Sequence, residues 1–150
     1  MLKENDMALD FQATLDNGNT LKLSDFQGKK IVLYFYPKDD TPGCTTEACG
    51  FRDSYDDFMA KNAIIIGVSP DGEKTHAQFR AKYNLQFFLL TDTEHTICEL
   101  YDVWKEKNMY GRKYMGVMRT TFIIDESGRV SKVFEKVKPA NHAKEILDML

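Results

Sequence analysis

Two cysteines stand close together in the run Thr41-Pro42-Gly43-Cys44-Thr45-Thr46-Glu47-Ala48-Cys49, just after the apolar stretch Ile31–Tyr36. Cys44 falls where a polar turn hands over to a helix. The unpaired N–H groups and partial positive charge of a helix start favour a thiolate there. Pro42-Gly43 lets the backbone turn closely before the sulfur. The Thr41 hydroxyl, three residues upstream, can stand beside it, donating to a substrate oxygen while accepting from elsewhere. Pro37 ends the strand with an apolar ring and no N–H, which would shield the sulfur from water. The plainer alternative is that Cys44 is only a buried packing residue.

Geometry limits what Cys49 can do. Five residues along an α-helix give a rise of about 7.5 Å and a turn of about 500°, placing the two Cα atoms roughly 8 to 9 Å apart. A disulfide spans no more than about 7 Å. Cys49 also shares a helix face with Arg52, Asp53 and Asp56, away from the apolar stripe. Joining the two cysteines therefore requires the first turns of the helix to unwind. That argues against a static structural bridge and leaves open a catalytic disulfide coupled to local unfolding.

The elements that must hold these residues can be read from periodicity and turn chemistry. Leu9 to Leu23 alternates around Asn17-Gly18, a hairpin signal. Ile31 to Tyr36 is apolar on both faces, as a central strand covered on both sides would be. Cys44, Ala48, Phe51, Tyr55 and Phe58 share one helical stripe, which predicts a continuous helix from Thr45 to about Lys61. Ala63 to Val68 reads as a second buried strand, Glu73 to Tyr83 as a helix and Leu89-Leu90 as a short strand. Thr93 to Tyr101 follows as a helix carrying Ile97, Cys98 and Leu100 inward. Residues 102–117 show no clean period and read as a long, partly aromatic loop of the kind that is often functional. A hairpin from Arg119 to Val137, turning at Asp125–Gly128, and a last helix through Ile146 complete the chain. The expected architecture is one α/β domain, with a mixed central sheet flanked by helices and an N-terminal β-hairpin extension.

Whole-chain properties exclude several classes. At 150 residues the chain is long enough for one substantial core. Its 43% hydrophobic and 29% charged content is that of an ordinary globular protein. A net charge of -3, with lysines and arginines scattered among acids, argues against non-specific nucleic-acid binding. The first ten residues contain no basic-then-apolar leader, and no apolar run approaches the ~20 residues of a membrane span. A soluble, cytoplasmic protein is the expectation. Three cysteines in a reducing compartment do not form a structural disulfide framework.

Pro37-x-x-x-Thr41-x-x-Cys44 resembles the active-site signature of the peroxiredoxins. The longer T-P-G-C-T-T-E-A-C-G-F-R-D is similar to the bacterioferritin-comigratory, or peroxiredoxin Q, subfamily. So is V-W-K-E-K-N-M-Y-G-R-K-Y-M-G-V-M-R-T-T-F-I-I-D, in which Arg119 matches the family's active-site arginine. The likeness covers nearly the whole chain and implies a thioredoxin-like fold. It further implies reduction of hydrogen peroxide and organic hydroperoxides without metal or organic cofactor. Cys44 would be the peroxidatic cysteine and Cys49 the resolving one, joined as an intramolecular disulfide that thioredoxin or a similar dithiol reduces. Thr41, Arg119 and the Gly43 and Cys44 backbone N–H groups would bind the peroxide, and Pro37 completes the signature. A monomer, or at most a weak dimer, is expected.

Other residues have plainer readings. Cys98 has no counterpart in the subfamily pattern; it reads as a small buried hydrophobe, and as the second choice for a resolving cysteine. The spacings of Cys44, Cys49, Cys98 and His95 fit no compact zinc pattern. His76, His95 and His142, among polar neighbours, read as solvated. Asp39 and Asp40 read as turn-formers pointing into solvent. Trp104, Met109, Tyr110, Tyr114, Met115 and Met118 either rim the peroxide pocket or pack the long loop. A thiol–disulfide oxidoreductase is the enzyme rival, but it normally carries two cysteines separated by two residues. A non-catalytic redox sensor or holdase using the same oxidation is the rival of another class.

Overall fold

The computed structural model describes residues 1–150. The Asn17-Gly18 turn joins β1 (Gln12–Leu15) to β2 (Thr20–Lys22) as an antiparallel hairpin. Then follow β3 (Lys30–Phe35), α1 (Pro42–Asp53), α2 (Tyr55–Ala60), β4 (Ala63–Ser69), α3 (Glu73–Tyr83), β5 (Phe88–Thr91) and α4 (Thr96–Leu100). The chain ends with β6 (Trp104–Met109), β7 (Arg112–Val117), β8 (Thr120–Ile124), β9 (Val130–Phe134) and α5 (His142–Leu147). Seven strands form one mixed sheet in the order β2-β1-β5-β4-β3-β8-β9. β3 and β4 pair in parallel, as do β4 and β5, while β8 runs antiparallel to β3. This is the expected mixed sheet flanked by helices, with the N-terminal hairpin as its extension.

Because side chains alternate across a strand, β3 feeds two separate cores. Ile31, Leu33 and Phe35 point to the layer that holds Ile64, Ile66, Leu90, Tyr101 and Phe122. Val32, Tyr34 and Tyr36 point to the other, with Cys44, Ala48, Phe51, Phe58 and Ile146. The helix that carries Cys44 is seated on this second layer by a specific device. Tyr34 is in register with Gly67 on β4. A Cβ at Gly67 would come within 2.9 Å of the Tyr34 ring, so only glycine lets the ring lie down there. The ring then packs against Phe51 of α1 in a tilted arrangement, with centroids 4.7 Å apart.

Three expected elements are corrected. The continuous helix from Thr45 to about Lys61 is interrupted at Ser54, whose backbone (φ -103°, ψ 10°) leaves helical values. Serine offers the backbone alternative local bonds and is a weak helix-interior residue. Phe51 and Phe58 nevertheless still meet on one face, 5.8 Å apart. Residues 102–117 are mostly not a loop: β6 and β7 form a two-stranded antiparallel hairpin, in register from Trp104↔Val117 to Met109↔Arg112. Its side chains are largely solvated on both faces. No apolar alternation therefore marks it in the sequence. The expected helix from Thr93 begins only at Thr96, after His95 takes a left-handed conformation (φ 47°). No helix is long and apolar enough to cross a membrane.

Candidate active site

Local chemistry starts the helix at Pro42, which occupies the first helical position, where its missing N–H costs nothing. The first intrahelical bond runs from Thr45 N–H to the Thr41 carbonyl at 2.8 Å. The N–H groups of Gly43 and Cys44 thus precede the ladder, at the positive end of α1. Cys44 lies 1% exposed at this point, on the core stripe with Ala48 and Phe51. Cys49 is half-buried, and all three cysteines are free thiols.

β8 brings in the cation. It pairs with β3 so that Thr120 lies opposite Phe35, which places the preceding Arg119 beside the start of α1. Arg119 Nη2 donates to Cys44 Sγ at 3.3 Å, and Nη1 donates to Glu47 Oε1 at 2.7 Å. The guanidinium also rests on Gly43, where a Cβ would stand 3.2 Å from Nη2 and 3.4 Å from the Pro139 ring. A larger residue at position 43 would therefore displace the cation from the sulfur. Burial pulls the Arg119 pKa down, but the charges of Glu47 and Cys44 and its bonds to both raise it overall. It stays a guanidinium.

Glu47 is the residue that sequence reasoning missed. It is 1% exposed, and burial pushes its carboxyl up to about 7 against the pull of Arg119. Its second oxygen, Oε2, has no hydrogen-bond partner. The signal for it was present: three residues after Cys44, it sits on the buried stripe, where an acid requires a partner. Lys107 on β6 was missed because its strand read as loop. Burial and then Arg119 lower its pKa against the opposing pull of Cys44. Its stem packs on Gly116, whose Cβ position lies 3.3 Å from Lys107 Cδ.

Other expected residues fall as follows. Thr41 caps α1 without a side-chain bond; its hydroxyl donates to the Lys38 carbonyl at 2.8 Å. The expected roles are thereby reversed, because the tight turn through Asp40 (φ 57°) brings that carbonyl within reach. Oγ1 now offers its lone pairs. Pro37 lies half-buried just after β3. Asp39 is not solvated: it is 5% exposed and bonded to Tyr36 and His76, since its short polar side chain turns inward between the end of β3 and α3. Asp40 does face outward, accepting from Lys82 and Tyr83. His76 and His142 are also buried, at 0% and 2% exposed, each held by polar partners: Asp39 and the Leu90 carbonyl, and Thr121 and Glu145. His95 is half-exposed and stacks on Trp104 at 4.1 Å. Met109, Tyr110, Tyr114 and Met115 are exposed on the hairpin, Tyr110 fully. Cys98 is buried, its thiol pKa driven far up by desolvation and by Asp92. Burial and the raised pKa disfavour its thiolate, as in a packing residue.

The arrangement is a buried sulfur at a helix start, bonded to a guanidinium that an internal carboxylate holds in place. Known proteins resemble nearly the whole chain. The sequence pattern of the AhpC/TSA family matches residues 5–133. Peroxiredoxin Bcp of Bacillus subtilis is 54% identical over 143 residues, covering 95% of this chain and 91% of its own. Peroxiredoxin Bcp of Escherichia coli is 40% identical, covering 99% of this chain and 96% of its own. The crystal structure of a cysteine-to-serine mutant of Xylella fastidiosa PrxQ superposes with a TM-score of 0.94 at 36% identity, over 99% of this chain and 95% of that one. The Xanthomonas campestris bacterioferritin comigratory protein, studied for its alkyl peroxide reduction activity, gives 0.88 at 40% identity, over 93% and 88%. By this family match and these identities, the chain belongs to the AhpC/TSA family and is a peroxiredoxin of the Bcp/PrxQ type with a thioredoxin-like fold.

Proposed function

We propose that Cys44 is the peroxidatic cysteine of a hydroperoxide reductase and that Cys49 resolves it within the same chain. The observation that carries this reading is the 3.3 Å bond from Arg119 Nη2 to Cys44 Sγ at the start of α1. The Cys44 thiolate attacks the hydroxyl-bearing oxygen of ROOH. An S–O bond forms, the O–O bond breaks, and the alkoxide leaves to take up a proton as alcohol, or as water when R is hydrogen. Thr41 Oγ1, its own O–H donating to the Lys38 carbonyl, accepts from the peroxide O–H and orients it. Charge grows on the leaving oxygen as the O–O bond lengthens. The Arg119 guanidinium and the Gly43 and Cys44 N–H groups oppose that charge more strongly in the transition state than in the ground state.

Cys44 is left as a sulfenic acid. Cys49 sulfur attacks it, displacing the oxygen as water and forming a Cys44–Cys49 disulfide. Both residues are on α1, so the helix must unwind for the bond to close. No second chain is required, and a monomer suffices. An external dithiol of the thioredoxin kind then reduces the disulfide, which the unwound segment exposes. Alkyl hydroperoxides are substrates by analogy with the activity studied in the Xanthomonas relative.

Stopped-flow oxidation of the reduced protein by hydrogen peroxide tests the assignment. A rate orders of magnitude above that of a free thiol is expected for wild type and for Cys49→Ser, with steady turnover lost in Cys49→Ser. A free-thiol rate at Cys44 would refute it.

A further inference from the structure

The loop ahead of Cys44 is held by α3 through two consecutive acids in opposite settings. Asp40 lies outside and accepts from Lys82 Nζ at 2.8 Å and Tyr83 Oη at 2.7 Å. Asp39 turns inward. Its Oδ1 accepts from the Tyr36 hydroxyl at 2.6 Å, and its Oδ2 lies 2.6 Å from His76 Nδ1. Neither the Asp39 nor the His76 side chain has any exposed surface. The Asp39 N–H donates to Asp71 Oδ2 at 2.9 Å, an oxygen that also accepts from Ser69 Oγ at 2.7 Å. None of these partners belongs to α1.

The protons in this network can be counted. His76 Nε2 is 2.8 Å from the Leu90 carbonyl, which can only accept, so Nε2 carries a hydrogen. One further proton then sits between Nδ1 and Oδ2, and with it the pair is neutral overall. Without it, two lone pairs face each other at 2.6 Å, and a net negative charge is buried beside Asp71.

We infer that the Asp39–His76 pair is a positioning device for peroxide reduction, holding Pro37–Thr41, and with it the Thr41 hydroxyl and the turn amides, only while its shared proton is in place. The inference rests on Cys44 being the reacting thiol. The need for such a device follows from the resolving step. If α1 unwinds in every cycle, the loop that must re-form the site needs an anchor outside α1, and Asp39 supplies it through β3, the end of β4 and α3.

The groups facing His76 are Asp39 from the loop, Asp71 from the β4–α3 turn, Tyr36 from the end of β3, and the Leu90 carbonyl from β5. Burial pulls the His76 pKa down, but the Asp39 bond and charge, the Leu90 carbonyl and Asp71 raise it overall. Tyr36 is held well above the ordinary phenol value by burial, then by Tyr34 and Asp39, and stays neutral. The proton is therefore held to higher pH than an ordinary imidazole would hold it, and is lost as pH rises through that elevated value.

The test is the pH profile of the second-order rate of Cys44 oxidation by hydrogen peroxide, for wild type, Asp39→Asn and His76→Leu. Wild type is expected to rise as the nucleophile loses its proton and to fall again at alkaline pH. In Asp39→Asn the amide accepts from Tyr36 and donates to neutral His76, so the loop keeps its bonds without an ionisable pair. Its rate should stay within severalfold of wild type at neutral pH, and its alkaline fall should vanish. His76→Leu should lose roughly tenfold or more, the scale of a displaced catalytic group. An unshifted alkaline fall in Asp39→Asn would overturn the inference, whether or not His76→Leu folds. So would a wild-type rate in His76→Leu with native circular dichroism. A slow wild type with indistinguishable variants would instead remove the Cys44 reading on which it rests.

Discussion

Arg119 serves two acidic groups with one guanidinium, Cys44 Sγ and Glu47 Oε1. Replacing it with methionine should lower the rate of Cys44 oxidation by about 10²–10³, the scale for removing one oxyanion donor; stopped-flow fluorescence measures this directly. Lysine should recover only part, because a single ammonium cannot bond both partners in the planar geometry of the fork. Glu47 gives a pH-dependent prediction. Its folded-state pKa is raised from 4.5 to about 7, so the fold binds its proton more tightly than the unfolded chain does. That contribution is fully present below pH 4.5 and is lost as pH rises through about 7. Glu47→Gln keeps an acceptor for Arg119 and removes the titration. It should match wild type at low pH and be more stable at pH 8, by on the order of 2 kcal/mol in urea unfolding. Equal stability at both pH values would show that Arg119 keeps the carboxylate charged at no cost.

At the scale of elements, the proposed cycle asks α1 to be stable enough to hold Cys44 among the first helical amides and loose enough to unwind. Gly50, directly after Cys49, lies inside it; a Cβ there would meet the Ala143 side chain at an ordinary 3.6 Å. Gly50→Ala should stabilise the reduced protein by roughly 0.5–1 kcal/mol. It should also slow disulfide formation by about two- to fivefold while leaving the peroxide step alone, as rapid-quench mapping would reveal. An unchanged resolving rate would mean that α1 opens by another route. Legibility in the sequence divides along the same elements. β3, β4, α3, the hairpin of β8 and β9 and both halves of the helical stripe could be read, because each buries one face or two. The hairpin of β6 and β7 could not, since it buries almost nothing. Lys107 was lost with it. Asp39, His76 and His142 were misread for a related reason: a buried polar residue is identified by its partner, and those partners lie up to 37 residues away.

For the whole molecule, buried titrating groups on separate elements set opposite limits. His142 on α5 has its pKa lowered, chiefly by burial, so its contribution is present above about pH 6.5 and is lost as pH falls below it. His76 acts the other way, its contribution lost as pH rises through its elevated pKa, and Glu47 is already being lost by then. Between pH 4.5 and about 7, thermal melts of Glu47→Gln should therefore fall less steeply with pH than those of wild type. Cys98 lies in the core layer on the opposite side of the sheet from Cys44, so Cys98→Ser should turn over peroxide as wild type does. The catalytic cycle is defined by which sulfur reacts first and which one it meets. Reduced protein mixed with one equivalent of hydrogen peroxide, acid-quenched at increasing times and peptide-mapped, decides this. We predict a sulfenic acid at Cys44, replaced by an intrachain Cys44–Cys49 disulfide. First oxidation at Cys49, or Cys44 joined to Cys98 or to a second chain, would contradict it.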